Sequence, residues 1–158
     1  MVDIVALPVI RNVLCEGDNI GNFIAGATII AGQVVAYAAA GASMTVHPAV
    51  NATTAMPIGV ALEGATVGQT LAVAMNGCIC NVVNGDDTLD IDAGDIVEPS
   101  ANVLGGCVQT AVLVEAGVVL VVKYQCGIML DIVVGATVGG GYGRMLVSCG
   151  IFTSINNA

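Results

Sequence analysis

Apolar residues along this chain recur at alternate positions in short runs, and most runs end at a glycine-centred turn. Alternation with a period of two, over short runs, predicts half-buried strands rather than helices. Candidate strands are Thr28–Ile30, Gln33–Tyr37, Ile58–Leu62, Thr70–Met75, Cys78–Val83, Asp95–Glu98, Cys107–Thr110, Val118–Tyr124, Gly127–Ile132, Arg144–Ser148 and Ile151–Ser154. Ala31-Gly32, Asn76-Gly77, Asn84-Gly85, Ala93-Gly94, Gly105-Gly106 and Gly139-Gly140-Gly141 punctuate them. Such pairs accept the positive φ that tight hairpins need. Turn signals spaced this regularly belong to a sandwich or barrel. Ala38–Ala42 has helix-forming alanines, but Gly41 and the approaching Pro48 favour a loop, with His47 beside Pro48 in it. The expected class is all-β.

The strand pattern repeats. Ile30-Ala31-Gly32-Gln33-Val34-Val35 resembles Asp92-Ala93-Gly94-Asp95-Ile96-Val97, and Gly64-Ala65-Thr66-Val67-Gly68 recurs verbatim as Gly135-Ala136-Thr137-Val138-Gly139. Leu71–Gly77 and Met145–Gly150 then follow as apolar strands ending in glycine. The phrases keep their order while their separation grows, so the second copy carries loop insertions. We expect an N-terminal arm and first strand over 1–25 and a β domain over 26–154. The domain divides into similar units at about 26–83 and 88–154, and 155–158 form a C-terminal tail. The apolar arm contains Pro8. Its Val2, Ile4, Leu7, Pro8, Ile10 and Leu14 are candidate interface residues, suited to crossing a neighbour or extending its sheet edge.

Composition narrows the function. Of 158 residues, 56% are hydrophobic and only 9% charged, where soluble domains carry about 25% charged. A monomer of this mass exposes roughly 7,300 Å², so each charged side chain serves about 490 Å². Apolar patches left by so thin a coat mark interfaces. Three basic residues, Arg11, Lys123 and Arg144, stand against twelve acids, for a net charge of −9. That balance disfavours nucleic acid and anionic membrane surfaces as partners. The long uncharged stretch Asn19–Leu62 is broken by glycines and two prolines, against a spanning helix. Aromatic residues are too few for the girdles of a membrane barrel. At the N-terminus an acid stands where a signal peptide wants positive charge, so synthesis in the cytoplasm is expected.

Residues for chemistry are sparse. His47 is the single histidine, and no hydrolase, zinc-protease or phosphate-loop motif is present, so neither catalysis nor a cofactor is expected. Six cysteines show no C-x-x-C spacing. Reduced thiols serving as small core hydrophobes are expected, with disulfides and a metal site as the alternatives. Asp86, Asp87, Asp90, Asp92, Asp95 and Glu98 gather half of the acids. Asp90, Asp92 and Asp95 are candidate metal ligands, because calcium loops offer oxygens at alternate positions near a glycine. The full calcium-loop pattern is absent, and a solvated hairpin end rich in turn-forming Asp explains the same residues.

Four phrases carry a family likeness: Ala31-Gly32-Gln33-Val34-Val35, Ile58–Ala65, Val67–Gly77 and Ala93-Gly94-Asp95-Ile96-Val97. In this order they resemble the small capsid decoration (cement) proteins of tailed phages and related archaeal viruses, over roughly Gly26 to Gly150. The resemblance implies a compact β-barrel or β-tulip body bound to the outer surface of an icosahedral shell. It further implies a homotrimer as oligomer and the major capsid protein as partner, with capsid subunits bridged against internal genome pressure. The chain departs from the family in its length, its second apparent half and its cysteines. A self-polymerising fibre or surface-layer subunit predicts the same composition.

Overall fold

The protein is described from a computed structural model, which covers residues 15–38, 43–50, 56–85, 90–110, 121–133 and 141–154. They form β1 (Ile20–Ala25), β2 (Val34–Tyr37), β3 (Thr45–Pro48), β4 (Pro57–Ala61), β5 (Thr70–Ala74), β6 (Ile79–Val83), β7 (Ile96–Pro99), β8 (Cys107–Gln109), β9 (Val121–Met129) and β10 (Tyr142–Ser154). The body is all-β. No helix of the described residues is long and apolar enough to cross a membrane.

The first five strands close into a barrel, ordered β1-β3-β2-β4-β5, with β1 antiparallel to β5 and parallel to β3. The last five form a sheet ordered β6-β10-β9-β7-β8. One parallel bridge, Asn84 to Cys107, joins the two ends of that sheet.

Four local readings change. The candidates Val118–Tyr124 and Gly127–Ile132 fall on one strand, β9, over Val121–Met129. Thr28–Ile30 is no strand; Ile29 makes a single bridge to Ala65. His47 and Pro48 lie in β3 rather than in a loop. Pro48 is tolerated there because β1 pairs only with Thr45 and Val46, so β3 is a free edge on that side by Pro48. The two candidates ending at Ser148 and Ser154 are one strand. β10 shifts register against β9 between Val147 and Gly150, and Gln125 Nε2 donates to the Ser148 carbonyl at 2.9 Å to hold the bulge.

The second sheet repeats the first barrel pair by pair. The β1–β5 ladder runs Ile20↔Ala74, Gly21↔Val73, Asn22↔Ala72, Phe23↔Leu71 and Ile24↔Thr70. The β6–β10 ladder runs Ile79↔Leu146, Cys80↔Met145, Asn81↔Arg144, Val82↔Gly143 and Val83↔Tyr142. Val34↔Val60 and Val35↔Gly59 match Ile96↔Ile128 and Val97↔Gly127. The β2–β3 pairs are likewise reproduced by β7–β8. Turn chemistry is copied as well. Ile30 N donates to Gln33 Oε1 at 2.9 Å, and its counterpart Asp92 N donates to Asp95 Oδ2 at 2.9 Å. Ala72 N donates to Glu63 Oε1, and Arg144 N to Asp131 Oδ2.

The interiors differ in a compensating way. Phe23, Leu71, Ala61 and Val73 help fill the first barrel; Val82, Gly143, Met129 and Met145 occupy the same places in the second sheet. A Cβ on Gly143 would collide with the Val133 side chain and lie 3.1 Å from the Met129 sulfur. Val133, which stands where the first copy has Ala65, and Met129 thus take the space that Leu71 fills in the first copy, an exchange of large and small residues.

Two equivalent glycines are required by close approach. A Cβ at Gly59 would fall on the Ala74 carbonyl oxygen, and one at Gly127 on the Leu146 carbonyl oxygen. Gly59→Ala and Gly127→Ala are each expected to lose about 1–3 kcal/mol in urea unfolding. Gly150→Ala, with nothing within 4 Å of its added Cβ, should stay within about 0.5 kcal/mol. Equal losses at all three positions would refute the packing explanation.

Candidate interaction surface

The two copies meet asymmetrically. In the first barrel Ile24 N donates to Met44 O at 2.8 Å and shuts the seam between β1 and β3. The equivalent seam of the second sheet is bridged at Asn84 and Cys107 but held apart at Val83 and Gly105 by the first barrel. Val83 N donates to Gly32 O at 3.0 Å, and Gly105 O accepts from Val34 N at 2.8 Å. Gln33 secures the same junction, with Nε2 donating to Leu104 O at 2.7 Å. Gly105 has φ +71 and its counterpart Met44 has φ 58. The left-handed turn is therefore conserved between copies, although only one has the glycine that suits it.

Residues of β2 alternate between two environments. Val35 points into the first barrel. Val34 and Ala36 point outward with Val60 and Ala74, and are buried in one cluster with Val97, Met129 and Met145 of the second sheet. The cross-strand row Ile20–Ala74–Val60–Val34 thus has its last three members covered by the second copy. The counterpart row in the second sheet is Ile79–Leu146–Ile128–Ile96. Its four aliphatic side chains are larger than those of the first row taken together, yet all are only half-buried.

Beside this row lies the buried pair of the described residues, Glu98 and Lys123. Lys123 Nζ donates to both carboxylate oxygens, at 2.9 and 3.1 Å. Glu98 was expected in a solvated acidic cluster, but it is 9% exposed. It occupies the place of Ala36, and only a cation at hand makes an acid acceptable there.

The other sequence candidates are placed as follows. Asp90 and Asp92 are exposed, and Asp95 is half-buried in the turn it shares with Asp92. Because neutral Gln33 makes the same turn bond in the first copy, the role of Asp95 there is conformational. Among the described residues no three His, Cys, Asp or Glu side chains assemble a metal site. His47 is exposed and lies over Gly26, where a Cβ would collide with its imidazole. Val2, Ile4, Leu7, Pro8, Ile10 and Leu14 lie outside the described residues, as do Asp86 and Asp87.

All six cysteines are free thiols, and Cys78, Cys80, Cys107 and Cys126 are fully buried. Burial pushes the Cys107 and Cys149 thiols up to about 12. Burial and, after it, neighbouring Cys78 push Cys15 up to about 11. Thiols so shifted are poor nucleophiles near neutrality. On the surface Arg144 holds Asp131 down to about 2, through side-chain and backbone hydrogen bonds.

What the sequence did not single out is the row Ile79–Leu146–Ile128–Ile96. Its signal was present as apolar residues on both faces of Cys78–Val83 and Arg144–Ser148, a pattern a one-sided surface strand lacks.

No protein-family model matches the chain, and no curated protein does. Among solved structures it is similar to the N base of the head fiber gp8.5 of bacteriophage phi29. The identity is 17%, the match covers 85% of this chain and 95% of that one, and the TM-score is 0.54. At that identity the likeness is one of fold.

Proposed function

We propose that the chain is a structural virion protein of a phage or related virus, held on the outer surface of an icosahedral capsid and bridging major capsid protein subunits. The observation that carries this reading is the fold shared with a phage head fiber base. It agrees with the decoration-protein resemblance over Gly26–Gly150. The physics required is modest: apolar surface buried against the shell contributes about 25 cal/mol per Å² before the cost of association. A chain with 9% charged residues has such surface available. Copies of the chain associate as a homotrimer in this reading, after synthesis in the host cytoplasm.

A second reading, a fibre or surface-layer subunit, is favoured by one observation, the two barrel-like copies packed in series. Cryo-microscopy of particles from the native source separates the two. Density for this chain at regular positions on an icosahedral shell is the expected result. A helical or planar array without a shell would overturn the first reading.

A further inference from the structure

We propose that Cys15 and Cys80 form a disulfide when the chain meets an oxidising environment, stapling the entry to the first barrel onto the second sheet. The inference goes beyond shell binding and does not depend on it.

The pairing follows from the strand register. Glu16 and Ile79 form an antiparallel bridge and exchange both backbone bonds, Glu16 N to Ile79 O at 2.9 Å and Ile79 N to Glu16 O at 2.8 Å. Pairs next to such a bridge are not hydrogen-bonded, and their side chains share one face with Cα atoms about 4.5 Å apart. On one side of the bridge that pair is Gly17 and Cys78, and a Cβ on Gly17 would lie 3.1 Å from the Cys78 Cα. On the other side it is Cys15 and Cys80. A separation of about 4.5 Å falls within the roughly 4.4–6.8 Å that disulfides span. Cys80 is fully buried, and Cys15 is half-buried against the cluster that contains it. Burial pushes the Cys80 thiol up, and after burial the largest cause is Cys15. Cys78 lies two residues from Cys80 on the same face, but its sulfur sits over Gly17 and donates to Asn19 O at 3.4 Å.

Packing alone does not require these sulfurs. All six cysteines belong to one core cluster or pack against it, whereas the first barrel, Ile20–Ala74, contains none. There Val46 and Ile58 stand at the counterparts of Cys107 and Cys126, and Gly21 at that of Cys80. The oxidant is a small-molecule disulfide such as oxidised glutathione. The half-buried Cys15 sulfur attacks one sulfur of that disulfide, forms a mixed disulfide and releases one small thiol, which takes the proton. Cys80 then attacks the Cys15 sulfur, and the second small thiol leaves with the Cys80 proton. Two protein thiols are oxidised and one small disulfide is reduced. Thiols reluctant to ionise are slow to attack but also poor leaving groups, so the bond forms slowly and resists reduction once made. The loop it closes runs from Cys15 to Cys80 and encloses all five strands of the first barrel. A crosslink over so long a loop restricts the unfolded chain strongly. Reducing compartments keep such a pair open and oxidising ones close it, so a chain made in a reducing compartment is hardened once it leaves.

The test is incubation of the reduced full chain with oxidised glutathione, followed by non-reducing peptide mapping, thiol titration in urea and thermal melting. The expected result is a peptide pair joined through Cys15 and Cys80, with two of the six thiols lost. The melting temperature should rise by roughly 5–15 °C and return on reduction with dithiothreitol. Cys15→Ser, at a half-buried position, should fold as the reduced wild type does and lose both the crosslink and the shift. Cys80→Ala should behave in the same way, and if it does not fold, Cys15→Ser carries the test. Cys107→Val, which restores the residue of the first copy, should keep both. Four results would overturn the inference. They are six thiols still free after oxidation, a crosslink from Cys15 to Cys78 or between Cys126 and Cys149 in place of the expected one, a crosslink between chains, or a Cys15–Cys80 bond that leaves the melting temperature unchanged. Since no shell enters the experiment, its failure leaves the capsid reading standing.

Discussion

Lys123→Met is expected to lose about 3–5 kcal/mol of folding stability, because it strands the Glu98 carboxylate in a buried position. Glu98 is 9% exposed, and its two oxygens accept 2.9 and 3.1 Å hydrogen bonds from one ammonium. Glu98→Ala should lose less, since the flexible stem of Lys123 can carry its charge toward water. The informative variant is the double one, Glu98→Ala with Lys123→Met. It restores at position 98 the alanine found at the counterpart position 36, and no charge is left behind. Its stability should return to within about 1 kcal/mol of wild type, since an apolar replacement of a buried ion pair is often neutral. Urea unfolding of the four proteins forms a cycle that isolates the coupling. If both single variants match wild type, the pair is solvated and the burial assigned to it is wrong.

Most of the fold was legible because its strands carry the alternation that a packed sheet imposes. Gln33–Tyr37, Ile58–Leu62, Thr70–Met75 and Cys78–Val83 all lie on observed strands within a residue or two at the ends. β1 is written Ile-Gly-Asn-Phe-Ile-Ala, with glycine and asparagine diluting the apolar period. Its inward positions are Phe23 and Ala25, and Gly21 is small because the Phe23 ring and the Met75 sulfur occupy the space beside it. β3 was hidden by Pro48, a residue that marks loops except where a strand has a free edge. In both cases the deciding fact is a neighbour far away in sequence.

The repeat was partly legible, and its errors are instructive. The first phrase pair, Ile30–Val35 with Asp92–Val97, coincides with the structural correspondence. The last pair does not: aligning the glycines at 77 and 150 sets Met145 one place out of register, whereas the ladders make Val73 the counterpart of Met145. In a strand a slip of one residue exchanges the two faces. The sequence alignment therefore could not reveal that Ala74 and Leu146 share a row. The verbatim copy Gly135–Gly139 lies outside the described residues. Low charge pointed to interfaces from the outset but names no surface; that Ile79, Leu146, Ile128 and Ile96 lie in one row emerges only from the register, since the row draws one residue from each of four strands.

Raising the pH above about 9 is expected to unfold the protein cooperatively, in reducing conditions and well before its arginines titrate. Burial raises Cys107 and Cys149 to about 12, and it raises Cys80 and Cys126 as well. In the unfolded chain these thiols ionise near the ordinary value of 9.0. Above that pH the folded state holds protons that the unfolded state has released, so stability falls as pH rises. The contribution is fully present below about 9 and disappears as the pH passes through the folded-state values. Each thiol contributes a slope of about 1.4 kcal/mol per pH unit, and four act together for about 5–6. Against a total stability of about 5–15 kcal/mol, the folded state is exhausted within roughly one to three pH units. Urea midpoints followed by circular dichroism from about pH 7 to 11 should stay level at first and then drop steeply. Cys107→Val removes one of the four thiols and should make the drop shallower by about a quarter. A midpoint that stays level to about pH 10.5 would mean that the thiols are open to solvent. In that case the cysteine-lined interior of the second sheet is packed differently from the structure described.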